Sequence, residues 1–399
     1  MSYDYRKVAA KSGSLPPKEI HSPMHFKYRA DHVGSFLRPP ELLEARKNPS
    51  IAPEQLKELE DRQIQRVLQR QKDLGFRIFT DGEFRRQGFM SDFNDSVEGL
   101  DNAEAIERDW KIGHSGASAL AGLRNRLPGV VVDKIRQKKR LTGHEAAFLK
   151  RHSPGDIKMT LPTPNQFPAI MYKKGLSDGA YGSYSEFLWD IVPIFKAEMQ
   201  TLADAGVPYI QIDAPRYSYY IDPKWRRYVE EQMGVDPEQA LDEAIRVDNA
   251  CIEGARGDAG DNGPMVAIHL CRGNNRSQWY AEGGYDPIAE KLFNRLNVDA
   301  FLLEYESERA GTFEPLRFVP RGKTVVLGLV STKLPEMETA DQLLRRIEEA
   351  SKYVSADQLA LSPQCGFASV LEGNLLTEDQ QWRKLELVVH TARKVWADA

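Results

Sequence analysis

Short apolar runs rich in β-branched residues recur along the chain, and each is followed by a loop and by a stretch with helical spacing. This alternation predicts a parallel sheet covered by helices. Eight repeats over 399 residues favour a (β/α)8 TIM barrel over an open, doubly wound sheet. The predicted strands are residues 28–33, 76–81, 157–161, 209–213, 265–269, 300–304, 324–329 and 358–361.

The helical stretches between these strands carry apolar residues three and four positions apart. One of them begins with Thr339 and Gln342, the spacing of a capping box. No GxGxxG or GxxxxGK[ST] run follows a predicted strand, which disfavours a nucleotide-binding fold. The other clear helices are predicted at residues 54–74, 184–205, 237–255, 286–296 and 377–396.

Residues 95–155 interrupt the alternation, because they are highly charged and include a basic run at 134–140. We predict a helical insertion here, between the second and third strands, with the basic run on a solvated helix face. An insertion that follows the carboxyl end of a strand would lie over the active-site face of a barrel. Residues 1–25 are interpreted as an amino-terminal arm of a single catalytic domain that spans 1–399.

Charge and composition narrow the classes of partner. The chain has 54 Lys and Arg against 58 Asp and Glu, a formal net charge of -4, and basic residues that are mostly interspersed with acids, so it has no basic field that would gather phosphates. No apolar run reaches the roughly 20 residues that span a bilayer, and residues 1–17 are too polar for a signal peptide. We expect a cytoplasmic protein that binds small molecules, neither nucleic acid nor membrane, with a homo-oligomer left open.

Chemistry-bearing residues collect at the predicted strand ends, where a barrel places its active site. His269 and Cys271 are two apart in an extended segment and so face the same way, while Glu304 and Cys365 follow neighbouring strands. One imidazole, two thiolates and one carboxylate suit zinc. The pattern alone also allows a core histidine and buried thiols.

Such a donor set constrains the chemistry of a bound zinc. Two thiolates and a carboxylate exceed the charge of the ion, so the zinc would be a poor generator of hydroxide for hydrolysis. It would instead bind a substrate thiol as thiolate, with Glu304 the ligand that loosens. The third cysteine, Cys251, lies in a predicted helix and is expected to be silent.

Several of these motifs resemble a known family. Val33-Gly34-Ser35, Asp81-Gly82-Glu83, the strand ending in Asp213, His269-x-Cys271 and Pro363-x-Cys365-Gly366 are similar to the catalytic domain of cobalamin-independent methionine synthase. The likeness is strongest to short, single-barrel relatives. It covers nearly the whole chain apart from the first residues and the insertion.

The resemblance implies that His269, Cys271, Glu304 and Cys365 bind zinc and form the catalytic centre. It also implies that a homocysteine-like acceptor is held by the turn at 33–35 together with the acids Glu83 and Asp213. Two alternatives stay open for the acids: Glu83 in a salt bridge to Arg85 or Arg86, and Asp213 as a helix cap. With His32 beside the turn, and with Tyr219 at a position where the family contacts the folate, the predicted substrate-binding set is His32, Val33, Gly34, Ser35, Glu83, Asp213 and Tyr219.

The sequence departs from full-length methionine synthase in the region that binds the methyl donor. Val330 stands where that family has a proton-donating histidine, and Tyr219 where it has an acid that contacts the folate. Residues 160–164 lack the tryptophan that packs on the pterin. We therefore predict a zinc-dependent S-methyltransferase whose donor is not polyglutamyl methyl-tetrahydrofolate.

The same residues allow three other interpretations. A zinc enzyme that opens epoxides with coenzyme M would need cations for the sulfonate, and Arg38, Arg85, Arg86 and Arg216 are available. A barrel like uroporphyrinogen decarboxylase would need no zinc and would leave the cysteines without a shared purpose. A non-catalytic protein with a structural zinc is disfavoured, because structural sites rarely include a carboxylate.

Overall fold

The structure is a computed structural model that describes residues 26–101, 111–112, 117–118, 129–256 and 263–399. Seven parallel strands form one sheet in the order β1-β6-β7-β8-β9-β10-β11. The strands are β1 Ile78–Phe79, β2 Val97–Asp101, β3 Lys111–Ile112, β4 Ala117–Ser118, β5 Val130–Gln137, β6 Asp156–Pro162, β7 Tyr209–Asp213, β8 Met265–Leu270, β9 Ala300–Glu304, β10 Thr324–Val330 and β11 Leu359–Pro363.

Helices alternate with the strands of the main sheet, as predicted. The capping box at Thr339 and Gln342 is confirmed, with both reciprocal hydrogen bonds present. None of the described helices is long and apolar enough to cross a bilayer. The described helices are α1 Pro40–Lys47, α2 Pro53–Leu74, α3 Ser91–Ser96, α4 Gly143–His152, α5 Pro168–Met171, α6 Tyr184–Asp204, α7 Pro223–Glu231, α8 Pro237–Arg256, α9 Asp286–Arg295, α10 Ala340–Ala350 and α11 Glu378–Val395.

The predicted first strand, 28–33, is reduced to a single parallel bridge between Ala30 and Leu361 of β11. The carbonyl groups that follow are used elsewhere, because His32 accepts from the Lys158 ammonium and Val33 from the Gln211 amide. On its other side, the Thr80 hydroxyl donates to the Gly34 carbonyl at 2.8 Å. This segment therefore contacts both edges of the curled sheet, an arrangement consistent with a TIM-like barrel.

Alternate residues of the strands pack inside the curl. The small side chains of Ala267, Ala300 and Ala360 leave room for two large rings, Tyr28 and Tyr209, which stack at 5.5 Å. The larger apolar core lies on the outer face, between the strands and the helices. Nearer the carboxyl ends of the strands, the inward-facing positions carry polar side chains.

A buried ion pair fixes the predicted first strand to the sheet. The Lys158 ammonium lies 2.6 Å from Asp31 Oδ1, with both side chains fully buried, and the Tyr209 hydroxyl donates to Asp31 Oδ2 at 2.9 Å. Burial lowers the pKa of Lys158, while Asp31 opposes that shift. Each of the two buried charges is therefore stabilised only while the other is present.

Within its described residues, the insertion contains strands as well as a helix, so the prediction of a helical segment is met only in part. There β2 pairs antiparallel with β5, and α4 follows. The basic run begins inside β5, so its interpretation as a helix face is wrong there; buried Val130, Val131 and Ile135 account for the strand. Residues 102–110, 113–116, 119–128 and the arm 1–25 lie outside the described residues.

We expect Lys158→Met to destabilise the protein by about 3–5 kcal/mol, because it leaves the Asp31 carboxylate buried without its cation. Urea denaturation would measure the loss. The matched control is Lys47→Met, which removes an exposed ion pair with Glu44 and should change stability by less than about 0.5 kcal/mol. Equal, small losses in both variants would contradict a structural role for the buried pair.

Candidate active site

Three predicted metal ligands lie together at the carboxyl edge of the sheet. His269 is in β8, Cys271 directly follows that strand, and Cys365 lies two residues beyond β11. Their ligand atoms are all within 4.8 Å of one another, and all three side chains are buried. Strand register therefore brings together residues that are far apart in sequence, as the strand-end pattern predicted.

The chemistry of these three groups fits a soft metal ion. Neither ring nitrogen of His269 has a hydrogen-bond partner among the described residues, although buried polar atoms normally have one. The Cys271 thiol holds the pKa of Cys365 well below its usual range, against burial, and His269 and Lys333 act in the same direction. One imidazole beside an easily ionised thiol is a donor set that suits zinc.

Glu304, the fourth predicted ligand, ends β9 as expected but is not part of this cluster. Its Oε1 accepts from Arg309 at 2.8 Å, and its Oε2 accepts from the backbone N-H of Arg272 at 2.9 Å. Burial would raise its pKa, but Arg309, Lys333 and Arg272 together lower that pKa to about 2. Glu304 is therefore an anion whose oxygens are both hydrogen-bonded.

Sequence reasoning missed Lys333, which lies beyond the end of β10. The side chain is buried, and its ammonium has no hydrogen-bond partner among the described residues. Its charge lowers the pKa of both Glu304 and Cys365. The sequence signal that could have identified it is a lysine three residues past a buried strand. Its positive charge offsets the excess of anions around the cysteines.

The Gly34 turn and Glu83 form a second wall of the site. Gly34 has φ of 137°, and a Cβ there would lie 2.9 Å from Thr160 Cγ2 and 3.5 Å from Glu83 Oε1. Glu83 itself has φ of 58°, a strained value for a residue with a side chain. The Glu83 carboxylate is buried. Its Oε1 accepts a hydrogen bond from the Thr160 hydroxyl, and its Oε2 has no partner among the described residues.

The alternative predicted for Glu83, a salt bridge to Arg85 or Arg86, is confirmed in part. Arg86 Nη1 lies 3.6 Å from Glu83 Oε1, whereas Arg85 pairs with Glu60 and Asp61 instead. Arg86 also bonds to the Glu145 carboxylate. Glu83 Oε2 is thus left to bind another group.

Asp213 ends β7 in register with His269 of β8, so both side chains face the same opening. Its Oδ1 accepts from Gln211 Nε2 at 2.8 Å. Burial raises the pKa of Asp213 to about 7, an effect that His269 opposes and Glu83 adds to. The helix-cap alternative does not hold, because no side chain caps the 3-10 helix Pro215–Tyr220.

Ser35 joins the acceptor turn to the loop that carries Cys365. Its carbonyl accepts from Phe367 N at 2.9 Å and its hydroxyl from Ala368 N at 3.3 Å. A Cβ on Gly366 would lie 2.0 Å from Ser35 Oγ, so this approach requires glycine. The two walls of the site are therefore packed directly on each other.

Two predicted substrate-binding residues lie elsewhere. His32 is packed between Phe36 and Phe76, at 5.1 and 5.0 Å, and burial and Lys158 lower its pKa to about 3. It is a neutral packing residue. Tyr219 stacks on Trp225 with ring centroids 4.3 Å apart, beyond the end of β7.

Comparison with known proteins agrees with this geometry. The family model for the catalytic domain of cobalamin-independent synthase matches residues 30–393. The chain belongs to the cobalamin-independent synthase catalytic-domain family. YxjG of Bacillus subtilis, a protein of uncharacterized function, is 40% identical over 92% of this chain and 95% of its own length.

Two solved structures share the fold of the synthase family. One, from Listeria monocytogenes, is proposed to be a vitamin-B12 independent methionine synthase; it has a TM-score of 0.67 and 29% identity, covering 92% of this chain and 98% of that one. The other is a B12-independent methionine synthase from Shewanella, with a TM-score of 0.68 and 23% identity, covering 92% and 97%. The synthase-type barrel expected from the sequence is thus supported across nearly the whole chain.

We expect Cys271→Ser and Cys365→Ser each to lower metal content after loading with Zn²⁺, because each removes a thiolate from the buried cluster. Elemental mass spectrometry on the purified protein would measure metal per chain. Cys251→Ser is the matched control, since Cys251 is buried in α8 and faces the Val192 carbonyl. Full metal retention in both cluster variants would contradict the assignment.

Proposed function

We propose that this protein is a zinc-dependent methyltransferase that methylates the thiol of a homocysteine-like amino acid. The observation that carries the proposal is the buried cluster of His269, Cys271 and Cys365 facing the acids Glu83 and Asp213. Membership of the synthase family supports methyl transfer. The Shewanella relative was solved in complex with selenomethionine, the selenium analogue of the methylated product.

The metal would be held by His269, Cys271 and Cys365, with Glu304 as the fourth ligand. Zinc bound there lowers the pKa of a thiol and keeps its sulfur nucleophilic at neutral pH. Glu304 has a second partner, because Arg309 already binds its Oε1. A carboxylate that can exchange between a metal and a guanidinium is suited to making room for a substrate sulfur.

The acceptor's amino-acid group would be held by the wall formed by the Gly34 turn and Glu83. Glu83 Oε2, which has no partner among the described residues, and the Asp213 carboxylate can pair with an ammonium. Backbone N-H groups of the turn at 33–35 can donate to the acceptor carboxylate. In this arrangement the side-chain thiol would point toward the cysteines, in a site whose residues are nearly all buried.

Transfer then forms one S-C bond and breaks one bond between the methyl carbon and its donor. The acceptor sulfur supplies the electron pair, and the leaving group departs with the pair of the broken bond. A tertiary amine leaves only when it is protonated, yet Val330 is fully buried and apolar at the position of the family's proton donor. A sulfonium, a methyl-corrinoid or a tyrosine-assisted aryl ether fits the site better.

Acceptor affinity should rise with pH up to about 7. Below that value Asp213 is protonated, because its folded-state pKa is raised to about 7, and a neutral acid cannot pair with an ammonium. Glu83→Gln should weaken homocysteine binding by roughly 1.5–3 kcal/mol, and Asp213→Asn should reduce the pH dependence to the part that comes from loss of the thiol proton.

Calorimetric titration of homocysteine into the zinc-loaded protein from pH 5.5 to 8 would measure both effects. The control is Asp379→Asn, which alters an exposed pair with Arg383 on α11. Unchanged affinity in Glu83→Gln, together with a lower zinc content, would assign Glu83 to the metal's surroundings instead of the acceptor.

Methyl-tetrahydrofolate should be a poor donor. A positioned general acid is worth roughly 10²–10⁴ in rate, and Val330 cannot supply one. A panel of methyl donors assayed with homocysteine and zinc-loaded protein tests this, with sulfonium donors expected to be faster. Turnover with methyl-tetrahydrofolate equal to that of the best donor would contradict the prediction.

A further inference from the structure

Arg216 is a buried cation that the chemistry described above does not use. It follows β7 in the 3-10 helix Pro215–Tyr220, and its side chain is only 2% exposed. Its Nε, Nη1 and Nη2 all lack a hydrogen-bond partner among the described residues. A guanidinium stays charged in a protein, so burying it without acceptors is costly unless a ligand supplies them.

The other arginines that the sequence singled out for a sulfonate have partners inside the protein. Arg38 donates to four backbone carbonyls, including those of Glu83 at 2.8 Å and Arg86 at 2.7 Å. Arg85 and Arg86 each pair with carboxylates. These three side chains have structural roles, whereas the donors of Arg216 are unused.

Aromatic rings hold the Arg216 guanidinium in place. Its central carbon lies 4.3 Å from the Tyr219 ring centroid. That ring stacks on Trp225 at 4.3 Å and 12°, and it has edge contacts with Tyr228 and Tyr280 at 5.8 and 5.9 Å. Burial would lower the pKa of Arg216, but nearby tyrosines, led by Tyr219, Tyr280 and Tyr184, raise it, and no carboxylate is among these main causes. Tyr184 is only half-buried, so this side of the Arg216 surroundings approaches solvent.

Arg216 lies at the same sheet edge as the metal ligands, and it is not one of the residues proposed to bind the acceptor. Ala214 N donates to the His269 carbonyl at 2.8 Å, and the Tyr280 hydroxyl donates to the Pro215 carbonyl at 3.1 Å. The loops after β7 and β8 therefore enclose Arg216 beside the cluster. The acids that suit the acceptor's ammonium belong to a different set of residues.

We propose that Arg216 binds the carboxylate of the methyl donor, a sulfonium that carries an anionic group. The inference rests on the proposed methyl transfer to a thiol. A guanidinium held flat against a ring keeps its edge donors available for a bidentate carboxylate. In the reaction, the acceptor sulfur bonds to the methyl carbon, the carbon-sulfonium bond breaks, and a neutral sulfide leaves with that electron pair.

Binding of two sulfonium probes in the absence of acceptor tests the proposal. The probes are 3-dimethylsulfoniopropionate, which has a carboxylate, and trimethylsulfonium, which has none. Arg216→Met should weaken binding of the first about ten- to hundredfold, and Arg216→Lys should weaken it less. Affinity of both variants for trimethylsulfonium should match that of the wild-type protein.

Thermal unfolding separates ligand binding from a structural role. Removal of an unpartnered buried charge should leave the midpoint of Arg216→Met equal to or above that of the wild type. Arg38→Met is the matched control and should lower the midpoint, because it leaves several carbonyls without donors. A large loss of stability in Arg216→Met would make Arg216 a structural residue and overturn the inference.

Three other results would also overturn the inference. The wild-type protein could fail to bind the carboxylate probe, or Arg216→Met could bind that probe with unchanged affinity. Arg216→Met could instead lose affinity for coenzyme M, which would assign Arg216 to a sulfonate acceptor. The binding measurements need no turnover. Absence of homocysteine methylation with the binding difference intact would contradict the proposed function while leaving the anion site standing.

Discussion

Two thiols and an imidazole, buried within 4.8 Å of one another, are the constraint on which the rest of the site depends. Such a set is stable in a low-dielectric interior when a cation neutralises the thiolates. Parallel register places His269 and Cys271 on one inward face, and the loop after β11 adds Cys365. Three charged side chains lie around this cluster. Glu304 adds a negative charge, and Lys333 and Arg309 offset the negative charge of the site.

The walls of the site are held by close contacts that tolerate little change. Gly34 lies against Thr160, and Gly366 lies against Ser35, so the acceptor turn and the Cys365 loop form one packed unit. Beneath them, the Lys158–Asp31 pair ties the predicted first strand to the sheet. Glu83, at its strained φ, and the buried Asp213 both present carboxylates to the opening of the site, where a ligand can form hydrogen bonds with them.

The sequence pattern predicted the strands of the seven-stranded sheet and most helices, because β8 and β9 are continuous buried runs and α10 buries one face. It failed in the insertion, where β2 and β5 occur in place of helix, since the buried positions of β5 do not alternate strictly. Strand ends predicted His269, Cys271 and Cys365. The Glu304–Arg309 pair, the packing of His32 and the Lys333 ammonium, which lacks a hydrogen-bond partner among the described residues, depend on side-chain contacts that periodicity does not encode.

The central claim is that the cysteine cluster activates the acceptor thiol at a zinc ion. Zinc-edge X-ray absorption of the loaded protein tests it directly, because sulfur and light-atom neighbours scatter at different distances. We predict two sulfur neighbours, from Cys271 and Cys365, in the protein alone and a third when homocysteine is added. A sulfur count that stays the same after saturation with homocysteine would contradict the account.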